Sequence, residues 1–129
     1  MSTCTTDAAG AESLRQQVET LLTEQKMVML DTIARHCGVS ELTAARALPA
    51  NMRAFAPAAA FDDVWQGLTQ WPGATFIMRH ARSVVEIKGR IPGGKHAGGY
   101  FNLEHGLPLG GHICSDEAAH ICFLSLPFM

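Results

Sequence analysis

The sequence has no long apolar run. No stretch approaches the roughly 20 consecutive apolar residues a membrane-spanning helix needs. It has no basic surplus either: 10 Lys and Arg against 12 Asp and Glu leave a net charge of −2, which argues against a general nucleic-acid coat. There is no C-x-x-C, so the commonest zinc and redox signatures are absent. Ser83, Ser115 and Ser125 lack a G-x-S-x-G context, and no cysteine stands in a recognisable protease signature. Paired carboxylates are missing from the glycine-rich part of the chain; Asp116 and Glu117 adjoin but point to opposite sides if extended. No catalytic set emerges. Residues 1–7 carry neither the basic region nor the apolar core of an export signal, which predicts a cytoplasmic protein.

What is present describes a globular domain. At 129 residues, 47% of them hydrophobic, the chain is long enough for one packed core and short for two. Without an export signal the four cysteines, Cys4, Cys37, Cys114 and Cys122, read as reduced thiols, either small core residues or metal ligands.

Residues 1–10 are small and polar, and disorder is expected there. From Ala11, Leu14, Val18, Leu21 and Leu22 recur at helical spacing on one face, and Glu12 suits the start of the helix. Asp31 is placed to cap a short helix that Gly38 ends, and Ser40 to cap a second that Pro49 ends. Helix, glycine turn and Ser-capped helix resemble a helix-turn-helix. A DNA reader would need basic side chains on the second helix, which offers only Glu41, Thr43 and Arg46 between alanines. A packing unit is the simpler reading; a regulator or interaction module is the alternative.

Residues 51–60 read as a connector. Phe61, Val64, Trp65 and Leu68 then lie along one side of another helix, with Asp62 and Asp63 in its first turn, and Trp71-Pro72-Gly73 stops it. Trp65 and Trp71 read as core anchors. From Ala74 the period falls to two. Strands are expected at 75–79, 83–88, 100–103, 112–114 and 120–125, and the short breaks between them favour antiparallel pairing. The expected class is α+β: a tail (1–10), a helical subdomain (11–60), then a helix with an antiparallel β-meander (61–129), packed as one compact domain.

The chemistry concentrates between Arg79 and His112, which holds four of the six histidines and half of the ten basic residues. Residues 79–96 carry five Lys or Arg against Glu86 alone. Such a patch attracts carboxylates or phosphates, although cations that blunt a sheet edge would look the same. A separate pattern is His112-Ile113-Cys114 with His120-Ile121-Cys122. Each pair puts imidazole and thiol on one side of a strand, so a hairpin through residues 115–119 would offer zinc four ligands. Against this, Cys114 and Cys122 can simply be core residues.

Several segments together resemble the intracellular heme-utilisation carriers of the ChuX/HutX family. They are Phe61-Asp62-Asp63-Val64-Trp65, Trp71-Pro72-Gly73, Val85-Glu86-Ile87-Lys88-Gly89 and Ile91-Pro92-Gly93-Gly94. Gly98-Gly99-Tyr100-Phe101-Asn102-Leu103, Gly110-Gly111-His112-Ile113 and Leu126-Pro127-Phe128-Met129 follow in the same order. The resemblance implies a large antiparallel sheet with helices, related to one half of the duplicated heme-degrading proteins. It implies a cytoplasmic, dimeric carrier of heme b rather than an enzyme, serving heme utilisation, trafficking or storage, with heme degradation left open. A downstream heme-degrading protein is an implied partner; a membrane or nucleic acid is not.

On this resemblance His112 matches the family histidine implicated in heme binding and is the expected iron ligand. The family's other heme-associated histidine falls on Arg79, with His80 beside it. His80 can serve only if a bulge turns it inward, and Arg79 would otherwise meet a propionate. Lys95, His96 and Tyr100 are further candidate heme contacts. The family normally continues beyond Pro127-Phe128-Met129 with further strands and a helix.

Overall fold

The computed structural model describes residues 4–117 and 120–127. Among them are four α-helices: α1 (Cys4–Glu24), α2 (Leu30–Cys37), α3 (Glu41–Ala47) and α4 (Phe61–Leu68). The strands are β1 (Arg53–Pro57), β2 (Ala74–His80), β3 (Ser83–Gly89), β4 (Gly94–Ala97), β5 (Tyr100–Leu103), β6 (His112–Ile113) and β7 (His120–Leu124). The α+β class is as expected, but the strands do not form one continuous meander. They make three sheets: β1 with β7, an antiparallel β2–β3 hairpin, and antiparallel β4–β5–β6.

The chain also divides into two compact units rather than one. One unit joins the residues up to Phe55 with those from Cys122 on; the other is Ala56–Ile121. The apolar residues segregate accordingly. Helical Leu, Val and Ala fill one core, and aromatic and strand residues fill the other. β7, expected with the sheet-bearing part, starts in one unit and ends in the other, because its pairing partner is β1.

In the first unit Val18, Val28 and Ile33 are fully enclosed. Leu14 and Leu22 of α1 pack on the same cluster, as do Leu124 and Leu126 from the far end of the chain. The Val28 amide donates to the Pro127 carbonyl at 3.0 Å, and the Ser125 amide to that of Met52 at 2.8 Å. α1 begins at Cys4 rather than Ala11. Alanines at 8, 9 and 11 favour helix, so the polar composition of 4–10 does not prevent it; residues 1–3 of the expected tail lie outside those described.

The α2–α3 pair forms with Gly38 in the left-handed region at φ 67°, where a side chain would be strained. Ser40 Oγ accepts from the Thr43 amide at 3.1 Å. Asp31 does not cap α2: Met29 holds that position, and Asp31 lies in the first turn, paired with Arg35 at 3.3 Å. α3 buries Ala44, Ala45 and Ala47, which makes it a packing element. The expected connector at 51–60 contains β1, a strand its Ala- and Pro-rich composition conceals.

In the second unit Trp65 of α4 packs with Ile91, Phe101, Leu103 and Leu109. Its indole Nε1–H donates to the Pro92 carbonyl at 2.8 Å, which satisfies the polar end of a buried ring. Phe61 and Trp65 both meet Phe101, with ring centroids 5.3 and 5.6 Å apart. Trp71, expected as a second core anchor, is instead 54% exposed, since the chain has already turned away from the core beyond α4.

Candidate functional site

Directly paired residues in an antiparallel ladder share a face, and residues two apart along a strand share it too. Asn102 pairs with Lys95 on one side and with His112 on the other. Lys95, Tyr100, Asn102 and His112 therefore stand together on one face of β4–β5–β6. His96 pairs with Phe101, and Phe101 with Ile113; these occupy the opposite face, which α4 covers through Phe61 and Trp65.

Two glycine conformations create this register. Gly98 and Gly99 have φ of 62° and 83°, as a two-residue hairpin turn with both central residues left-handed requires. Gly94 has no room for a side chain: a Cβ there would lie 2.6 Å from the Phe101 ring and 2.8 Å from the Asn102 carbonyl oxygen.

His112 is exposed, and its Nδ1 lies 2.6 Å from Asn102 Oδ1. The Tyr100 ring, itself largely exposed, stands 5.8 Å from the imidazole and tilted 53° to it. Asn102 Nδ2 in turn donates to the backbone carbonyls of Lys95, Ala97 and Tyr100 at 3.3, 3.0 and 3.2 Å. Sequence reasoning placed Asn102 in a motif without a role. Its partnership with His112 depends on pairing across the loop of residues 104–111, which no local pattern reveals.

His96 does not join this face. Its Nε2 meets Asp62 Oδ1 at 2.7 Å and its ring tilts against Phe101 at 5.0 Å. With Asp62, Ser115 and Asp116 it borders a shallow cleft of about 400 Å³.

Arg79 and His80 end β2. Every residue from Ala74↔Gly89 to His80↔Ser83 has one partner, so the hairpin contains no bulge to turn His80 over. His80 accordingly lies on the face of Phe76 and Met78, and Arg79 on that of Ile77. Phe76 and Ile87 reach the core, while Met78 and Val85 further along the same face are 58% and 56% exposed.

The zinc arrangement does not form. β6 pairs with β5 and β7 with β1, so the two His-x-Cys segments are not a hairpin; Ala118 and Ala119 of the loop between them lie outside the described residues. Among the described residues no group of three or more His, Cys, Asp or Glu is placed to hold a metal. The Cys114 thiol is also pushed above its ordinary pKa, first by desolvation and then by the charges of Glu117 and Asp116. That disfavours the thiolate a metal would require.

The fold and this face define an α+β protein that presents an oriented, open imidazole beside a tyrosine ring and a lysine. The chain belongs to the Haem utilisation ChuX/HutX family, whose model matches residues 54–129. It is 35% identical over 119 residues to the intracellular heme transport protein HutX of Vibrio cholerae, covering 92% of this chain and 62% of that protein's length. Among solved structures, a protein from Erwinia carotovora matches at 33% identity with a TM-score of 0.77, over 87% of this chain and 70% of that one. The heme-binding protein ChuX matches at 30% identity and a TM-score of 0.72, over 84% of this chain and 65% of its own.

Proposed function

We propose that this protein binds heme b through His112 and carries it within the cytoplasm, passing it to a heme-degrading partner. The observation that carries the reading is the His112 imidazole, open on the sheet face with Nδ1 engaged by Asn102. Its Nε2 is the nitrogen that remains for a ligand. The donor set fits the group: neutral imidazole is an ordinary axial ligand of heme iron, the Tyr100 ring offers an aromatic face, and Lys95 offers a cation for a propionate. Heme would supply the iron centre and its colour; the protein supplies position and charge. The roles of the relatives, intracellular heme transport for HutX and heme binding for ChuX, support the same reading.

Arg79 and His80 serve, on this reading, at the edge of the ligand. Exposed Met78 and Val85 on one face of the hairpin, and Ile77 and Val84 on the other, leave it apolar on both sides, a surface that suits a second copy of the chain. Titration with hemin is expected to give a Soret band, and His112→Ala to weaken binding by more than about 100-fold, beyond the loss from an outer-shell change. Unchanged spectrum and affinity in that variant would overturn the assignment.

A further inference from the structure

We infer that Asn102 is a positioning residue that holds His112 in the Nδ1–H tautomer, leaving a bare Nε2 ready for a metal. The inference rests on the heme reading for its purpose and on geometry for its substance.

An asparagine amide can be placed in two ways, and its surroundings choose between them. The nitrogen end here faces three backbone carbonyls, of Lys95, Ala97 and Tyr100, over which its two hydrogens are shared. Turning the amide over would set its oxygen against those three carbonyl oxygens, replacing attraction with repulsion at each contact. Oδ1 therefore faces His112, and an amide oxygen has no hydrogen to give. The hydrogen in the 2.6 Å contact must belong to His112 Nδ1. In a neutral imidazole the lone pair is then on Nε2.

The origin of the clamp is in the turn. Gly98 and Gly99 bring the Ala97 and Tyr100 carbonyls round to the Asn102 amide, while the β5–β6 register sets His112 opposite it. A free imidazole favours the other tautomer, with hydrogen on Nε2, and would have to exchange it before ligating iron through that atom. Fixing the tautomer and ring angle in advance removes this step, as outer-shell partners of metal-binding histidines generally do.

The test begins without heme. In the ¹⁵N-histidine NMR spectrum of the heme-free protein, the neutral His112 ring is expected to show a protonated Nδ1 and a bare Nε2. A predominant Nε2–H form would overturn the inference. In Asn102→Leu the ring is expected to shift towards the Nε2–H form, with hemin affinity falling roughly 10–100-fold; an unaltered tautomer or affinity overturns it. Asn102→Asp keeps an acceptor towards Nδ1 while its second oxygen meets the three carbonyls, so it is expected to be less stable and yet to retain the wild-type tautomer. Nε2–H in that variant counts against the inference, and the wild-type spectrum decides it where neither variant folds. Wild-type protein with the expected tautomer that binds no hemin overturns the heme reading and not the tautomer assignment. Hemin binding through His112 with the opposite tautomer overturns this inference alone.

Discussion

At the scale of single residues, Trp65 holds the back of the sheet whose front carries His112. Its ring fills the core against Phe101, and its Nε1–H satisfies the buried Pro92 carbonyl. The two contributions can be separated. Trp65→Phe keeps an aromatic ring but leaves that carbonyl unpaired, with an expected loss of about 1–3 kcal/mol. Trp65→Ala removes the ring as well, with about 3–5 kcal/mol expected. Urea denaturation of both variants checks the order; no loss in Trp65→Phe would show that the hydrogen bond contributes nothing, and equal losses that the ring contributes nothing. Trp65 was legible in the sequence, because apolar residues at helical spacing point to one face. Trp71 was not: its exposure depends on where the chain goes after α4, and composition carries no such direction.

At the scale of elements, helix caps were readable where the residue has one local reason to be there. Gly38 and Ser40 are examples, each acting on backbone groups within a few positions. Strand partners were less so. Alternation in Tyr100-Phe101-Asn102-Leu103 shows which residues turn inward, but the face given to His96 depends on its register against Phe101. The Arg79/His80 question likewise needed the complete β2–β3 ladder. Close packing across β4 and β5 makes a sharp expectation possible. Gly94→Ala drives a methyl into the Phe101 ring and the Asn102 carbonyl, and about 1–3 kcal/mol of stability is expected to be lost. Gly110→Ala, with nothing within 4 Å of its added methyl, is expected to stay within about 0.5 kcal/mol. Thermal denaturation of the pair tests whether close approach, rather than loss of glycine as such, is responsible.

At the scale of the whole molecule, the role proposed for His112 comes from family resemblance, while the α+β class was within reach of the sequence. The division into two units was not, because it rests on β1 meeting β7 across most of the chain. Leu124 and Leu126 complete the helical core, and Pro127 accepts from the Val28 amide. Deleting the chain from Ser125 onward is expected to abolish the slow hydrogen exchange of that amide, read by NMR. Unchanged protection of Val28 would show that the helical core closes without its last segment.

That closure reverses the usual order of assembly on the ribosome, where segments made first generally fold first. Ala56–Ile121 is continuous in the chain and draws on no residue outside that span. The helices synthesised before it must wait for Leu124 and Leu126 to emerge. Until then the apolar surface that Leu124 and Leu126 cover in the finished helical core stays open.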